Sequence, residues 1–424
     1  MTWATVNFCP ERISAVACEG LMKALVGSCG RQGMPTGPPV AIESGISFAV
    51  EKALTSVLSK AQTKLGSNFK KESFIVIVVL SGKMKAVRAR VKHWGDITEG
   101  VLTQCLCDDK VLKANDQYWG NVALKLNARL GGYNALTRST VLQELQKQPF
   151  MIMGADVGHP SPGVRKPSVT SLVWSYDEYA TRYAAYTRIQ HPRLEVIDGL
   201  KDMVKDAITA FGMRNRASPK RVIFFRDGVS EGEFESIAEK EVGAIKDAID
   251  EIWNERKLQD TKPLLTFIVV GKSHHVVFFP QDESSQDRTG NVRAGFVADE
   301  GLRHPVTLDF YLQSHAAVKG TSRSSHYSVL LDENFSANID KLQELAFALC
   351  HVYAKATRSV SIPAPVYYAD LVCARGEFHF RPDSNLAFTD DSTMTSNSAP
   401  FDIAPWEKGF LPVNRASNKT MYFL

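Results

Sequence analysis

The chain has 424 residues, 44% of them apolar and 23% charged, enough apolar material for two or three domains, each with its own core. Its longest apolar runs, such as FIVIVVL at 74–80, are too short to cross a bilayer, so no membrane partner is expected. Seven cysteines, Cys9, Cys18, Cys29, Cys105, Cys107, Cys350 and Cys373, are odd in number and lack paired zinc spacing; with no secretory signal ahead of them they point to a reducing, cytoplasmic setting.

A net charge of +4 is too small to establish a polyanionic partner, but its distribution is uneven. Lys83, Lys85, Arg88, Arg90 and Lys92 place five cations in ten residues with no acid among them. A solvated loop and a phosphate site explain such a run equally well.

In chain order, WATVNF leads to a predicted helix at 11–27 and then to the Gly/Pro-rich loop GRQGMPTGPP. A helical pattern at 46–64 precedes the buried strand FIVIVVL, and the basic SGKMKAVRARVKHWGD follows it, placing the cations beyond a strand end where α/β folds bind ligands. A helix at 121–132 carries Lys125 and Arg129 one turn apart, so both can face one anion. From about residue 149 the pattern changes. Strands in MIMGADV, SVTSLVWSYD and RYAAYTRIQ precede an amphipathic helix, LEVIDGLKDMVKDAITAFG, and a buried strand, VIFFRDG. Three antiparallel strands, a helix and a parallel strand is the order of the ribonuclease H fold. Ser230 and Glu233 form a capping box for a helix at 231–253, LLTFIVVGK gives another strand, and IDKLQELAFALCHVYAKA reads as one helix. Pro363 opens a last helix carrying Asp370 and Arg375; the polar stretch 383–400 reads as a loop, and MYFL as a docked terminus.

Four acids sit at the edges of these apolar elements: Asp156 in GADVGHP, Glu195 in HPRLEVI, Asp227 in FFRDGVSEGEF and Asp370 in YYADLVCARG. One strand-end aspartate is usually a turn former or a cap. Several on rigid elements can converge on hard divalent cations, and two such ions activate water and stabilise the leaving oxygen in phosphodiester cleavage. Asp156 and Asp227 fall on strands that are neighbours in this order. Glu195 also reads as a first-turn carboxylate favouring the helix dipole, and taken alone that reading wins.

GADVGHP, FFRDGVSEGEF, FIVVGKSHH, GTSRSSHY, TRSVSIPAPVYYADLVCARG and the terminal MYF closely resemble the PIWI domain of eukaryotic Argonautes. SGKMKAVRARVKHWGD, LTQC and LKLNARLGG resemble the MID domain that precedes it. The resemblance covers almost the whole chain and is similar to filamentous fungal members. It implies an α/β chain with a Rossmann-like MID domain over 1–145, linker segment included, followed by a ribonuclease H-like PIWI domain over 146–424. On this resemblance the chain is expected to be the C-terminal lobe alone, without the PAZ domain.

By the same resemblance the catalytic residues are Asp156, Glu195, Asp227 and Asp370, with Mg²⁺ or Mn²⁺ held by Asp156, Asp227 and Asp370. Asp370 stands where many members have histidine. The guide's 5′ phosphate would meet Lys92, Gln104, Lys125, Arg129 and, from the PIWI side, Arg375; all are donors, as a dianion requires. Arg88 stands where the family has a tyrosine that stacks on the first base. Guide-backbone contacts would fall on Lys272, His315, Arg323, Lys355, Arg358, Ser361 and Tyr367, although His315 alone reads better as a satisfied core histidine. Implied partners are a 5′-phosphorylated small guide RNA, its complementary target RNA and tryptophan-rich silencing proteins. The expected function is guide-directed endonuclease cleavage in RNA silencing. A non-cleaving guide-binding module and a guide-independent ribonuclease H-like nuclease are the rivals.

Overall fold

In the computed structural model, which describes residues 1–302, 304–386 and 400–424, four parallel strands open the chain: β1 (Thr2–Asn7), β2 (Ile42–Ser44), β3 (Phe74–Leu80) and β4 (Leu102–Cys107), in the order β2-β1-β3-β4. All seven residues of β3 are buried, as befits a central parallel strand covered on both faces. The helices Ala15–Arg31, Val50–Leu65, Lys85–Lys92 and Asp116–Arg129 belong to the same unit. Asn115 caps the last of these by accepting from the Tyr118 amide at 2.9 Å, one of the orphan donors every helix start must satisfy. The described residues 375–386 and Ala404–Leu424 complete the unit. Its terminal Met421–Leu424 is buried, and Arg375 donates to the Tyr422 carbonyl.

The other unit, Ala135–Ala374 with 400–403, is built on eight strands: β5 (Phe150–Gly158), β6 (Ser168–Ser175), β7 (Tyr183–Gln190), β8 (Arg221–Asp227), β9 (Leu264–Gly271), β10 (Phe296–Ala298), β11 (Leu308–Gln313) and β12 (Ser325–Asp332). Their order is β10-β11-β12-β9-β8-β5-β6-β7. Strands β5, β6 and β7 pair antiparallel, whereas β8 pairs parallel with both β5 and β9. Met151, Met153, Trp174 and Phe224 on the sheet share one core with Met203, Val204 and Phe211 of the helix Leu200–Asn215. No helix among the described residues is long and apolar enough to cross a membrane.

Six helices differ from their sequence reading: those read at 11–27 and 46–64 run over Ala15–Arg31, capped by Ser14, and Val50–Leu65, and four others differ for a local reason. The helix expected from Leu194 starts at Leu200, because the Gln190 amide takes the Leu194 and Val196 carbonyls and Gly199 turns the chain at φ +71°. The helix at 231–253 is real but composite: Ser230 and Glu233 form the capping box, a π-helical turn spans Ala238–Val242, and the α-helix resumes at Gly243–Glu255. The helix read through Ala356 stops at Leu349, since the Cys350 carbonyl accepts from Val360 and the Ala354 amide donates to the Tyr368 hydroxyl. The helix expected over 121–132 runs over Asp116–Arg129, the Asn115 cap fixing its earlier start. Within the polar stretch 383–400, residues 387–399 lie outside the described residues.

Candidate functional site

Asp156 and Asp227 lie on adjacent strands, one residue beyond the paired Ala155 and Arg226 of β5 and β8. The helix Ala364–Arg375 carries Asp370 and crosses β5 so closely that a Cβ on Gly154 would meet the Pro365 carbonyl oxygen at 2.4 Å. Ser171 donates to the Ala369 carbonyl at 2.8 Å, pinning the same helix to β6. Only glycine at 154 permits this approach, so the position of Asp370 depends on a residue that carries no chemistry.

Burial, the Asp227 charge and the Asp370 charge push the Asp156 carboxyl up to about 6. Burial also raises Asp227, against the pull of Lys272, whose ammonium donates to Asp227 Oδ2 at 2.9 Å. Asp227 Oδ1 is buried and has no hydrogen-bond partner among the described residues. Oxygen-only donors, mutual repulsion and an orphaned buried carboxylate oxygen fit a hard divalent cation, which Asp156, Asp227 and Asp370 would hold. The three do not bring ligand atoms within 4.8 Å of one another; among the described residues only Cys107, Asp108 and Asp109 do so. That compact trio already has a cation, because Arg12 pairs with Asp108 and, at 2.7 Å, with Asp109, which offsets part of its charge.

The acid pair yields a stability prediction with a definite sign. A carboxyl whose pKa is raised by folding favours the fold at low pH and loses that contribution as the pH rises through about 6. In chelator, Asp156→Asn is therefore expected to stabilise the protein by about 1–2 kcal/mol at about pH 8 and to change little near pH 4. Thermal melts of both proteins at the two pH values measure this, and equal destabilisation at both would contradict it.

Glu195 is not a helix-start carboxylate, since the helix begins five residues later. Its Oε1 lies 2.8 Å from His159 Nε2, and His159 Nδ1 is 2.8 Å from Ser168 Oγ. Its segment is fixed from below. Arg226, 1% exposed, donates to the Glu195 carbonyl at 2.6 Å and to the Asp227 carbonyl, and its Nε faces Glu241 at 3.2 Å. Glu241 in turn accepts from the Ile197 amide at 3.0 Å. Sequence reasoning missed His159, Arg226 and Glu241. The first two stand inside the quoted motifs, but Glu241 sits in an ordinary helical pattern that hides the π-helical turn.

In the first unit a cation cluster is buried. Lys92, 4% exposed, donates to the Thr103 carbonyl and hydroxyl, both at 2.8 Å. Arg129, also 4% exposed, donates to the Gln104 side-chain oxygen. Arg375 lies 3.5 Å from Asp96. Burial brings Lys92 down to about 7, with Arg375 and Arg129 adding to the fall and Cys105 opposing it, and brings Arg129 down to about 9 with Arg375 adding to it. Lys125 is lowered by burial and by Arg129. The Nε groups of Arg129 and Arg375 are buried with no hydrogen-bond partner among the described residues. Three buried cations with Asp96 beside Arg375, and two donors unused among the described residues, are an arrangement that could take up an anion. All five residues expected at the phosphate, Arg375 included, fall in this one unit.

The basic run divides. Lys83, Lys85 and Arg88 are exposed, Arg90 pairs with Glu51 at 2.9 Å and with Asp383, and only Lys92 enters the cluster. Arg88 lies over the Phe378 ring, 5.8 Å from its centroid. In the second unit Ser361 and Tyr367 share a 3.1 Å hydrogen bond, Lys355 approaches the Tyr353 ring at 5.9 Å, and Arg323 and Arg358 are exposed. His315 Nδ1 is buried without a hydrogen-bond partner, and burial lowers its pKa. Lys272 stands apart from these, on Asp227.

The profile of the Piwi domain matches residues 75–381. The C-terminal lobe of a budding yeast Argonaute is 26% identical, with a TM-score of 0.82 over 100% of this chain and 85% of that one. Kluyveromyces polysporus Argonaute with a guide RNA is 27% identical, with a TM-score of 0.82 over 100% of this chain and 50% of that one; the present chain spans half its length. The MID-PIWI domains of N. crassa QDE-2 share the fold at 23% identity, with a TM-score of 0.64 over 100% and 97% of the two chains. The Piwi match extends over most of the chain and takes in the four acids and the cation cluster, so this protein, with the α/β fold of Argonaute MID-PIWI lobes, belongs to the Piwi domain family.

Proposed function

We propose that this chain is the lobe of an Argonaute that anchors the 5′ phosphate of a small guide RNA and cleaves the complementary target RNA at a divalent-metal site. The observation that carries the reading is the buried cluster of Lys92, Arg129 and Arg375, which has Asp96 beside it and, among the described residues, keeps two guanidinium Nε donors unused. A terminal phosphate supplies the missing charge and acceptors, while a mid-chain phosphodiester, with one charge, supplies less of both. Sequence is then read by base pairing, and the protein reads backbone and end chemistry.

At the acids, Asp156, Asp227 and Asp370 would hold Mg²⁺ or Mn²⁺, which supplies activation of the attacking water and stabilisation of the leaving oxygen. This chain's residues do the remainder. The Arg226 and Glu241 pair fixes the segment bearing Glu195, and His159 orients its carboxylate. The intact set of four acids favours cleavage over a silencing module that acts only through tryptophan-rich partners. Fluorescence titration with a guide bearing a 5′ phosphate and the same guide bearing a 5′ hydroxyl tests the anchor. The phosphorylated guide is expected to bind at least about tenfold more tightly, and equal affinities would remove the anchor from the account.

A further inference from the structure

The resemblance groups Lys272 with residues that follow the guide backbone, yet its surroundings point elsewhere. It is the residue after β9, whose Val270 pairs with Asp227 across the parallel β8-β9 ladder, so its side chain leaves the sheet at the edge where the acids lie. Its ammonium donates to Asp227 Oδ2 at 2.9 Å, and it feels the charges of Asp370 and Asp156 as well. The other cation of this neighbourhood, Arg226, is committed to Glu241 and to the Asp227 and Glu195 carbonyls. Asp227 is 7% exposed at its side chain, whereas the Lys272 side chain is 45% exposed. One partner is fixed and buried, and the other has room to swing into solvent.

We propose that Lys272 is the resident counter-ion of the acidic cluster, neutralising Asp227 until a divalent cation takes that carboxylate, so that the ion pair and metal binding oppose one another. The inference rests on the metal-site reading of Asp156, Asp227 and Asp370. A buried carboxylate beside two others is costly without a cation, and a flexible lysine meets that need without fixing the site's geometry. A divalent ion seated on the free Oδ1 would face the ammonium across the same carboxylate, so Coulomb repulsion opposes its entry and favours release of the lysine. Lys272 thereby sets the divalent concentration at which the site loads and, once released, is a free cation beside the reacting phosphate.

The test is Mn²⁺ binding, read from the electron paramagnetic resonance signal of free Mn²⁺, with no nucleic acid present. Lys272→Met is expected to bind Mn²⁺ about tenfold more tightly than the parent, the cost of a charge-assisted contact being returned to the metal. Lys272→Arg should bind no more tightly than the parent, and Asp227→Asn should lose the site. Lys272→Gln serves in place of the methionine variant if thermal melts show that the latter is unfolded. Unchanged or weaker Mn²⁺ affinity in the neutral variant, with Asp227→Asn still losing binding, overturns the counter-ion role and leaves the metal site standing. Absence of specific Mn²⁺ uptake in both the parent and the neutral variant overturns the metal reading and this inference with it. Guide affinity, measured in chelator, separates the backbone-contact assignment: weaker guide binding with unchanged Mn²⁺ affinity would return Lys272 to the guide.

Discussion

If the proposed metal site is right, Asp227→Ala is expected to lower target cleavage by the guide-loaded protein at least about a thousandfold, because it would remove a metal contact worth several kcal/mol at the transition state. Guide affinity should survive, since Asp227 lies in a different unit from the buried cation cluster proposed to anchor the guide. The same loss is expected for Asp156→Ala and Asp370→Ala, whereas Asp370→His should keep part of the activity, because imidazole also ligates divalent metals. Glu195→Gln distinguishes a participant from a bystander. Its carboxylate is held by His159, so a cleavage defect in this variant with normal guide loading would place it in the chemistry. Single-turnover rates with guide loading measured in parallel decide each case.

The second large effect belongs to Arg129. Arg129→Met should cost the phosphorylated guide about 1.5–3 kcal/mol of affinity and leave a hydroxyl-ended guide almost unaffected. It should also raise the melting temperature of the guide-free protein. Arg129 is a buried guanidinium beside Lys92 and Arg375, with its Nε unpartnered, and replacing such a charge with an apolar side chain of similar length relieves an uncompensated cost. A variant that binds both guide forms less well and melts lower would show that Arg129 is chiefly structural. Calorimetry on the two guides and thermal melts of the free protein measure the two halves.

The sequence displayed the parts of the fold that rest on periodicity. FIVIVVL reads as a buried strand from its length and β-branched content, and the three antiparallel strands followed by a helix and VIFFRDG place β5 beside β8, which is why the Asp156 and Asp227 neighbourhood is legible in the sequence. Contacts between distant segments were not. Nothing near Glu241 in the sequence announces that a π-helical turn carries it to Arg226 and the Ile197 amide. The late start of the helix after Glu195 follows from the Gln190 side chain taking two carbonyls, a tertiary event that propensity does not register. The five clustered cations read as one feature, yet burial sorts them: Lys92 joins Arg129 and Arg375, while Arg90 is spent on Glu51 and Asp383. Lys272 illustrates the same limit, because a lysine after a strand gives no sign of whether it faces a carboxylate or a ligand.

An end-anchored guide and a metal-dependent cut are both tested by one assay. The protein is loaded with a 5′-phosphorylated guide, given a fully matched target labelled at one end, and followed under single-turnover conditions with Mg²⁺, with chelator, and with a 5′-hydroxyl guide in place of the phosphorylated one. The prediction is a single product at a fixed distance from the guide's 5′ end, formed with Mg²⁺, absent in chelator, and strongly reduced with the hydroxyl-ended guide at limiting concentration. Stable loading of the phosphorylated guide and its target with no cleavage in either Mg²⁺ or Mn²⁺ would contradict the account and identify the chain as a binding module.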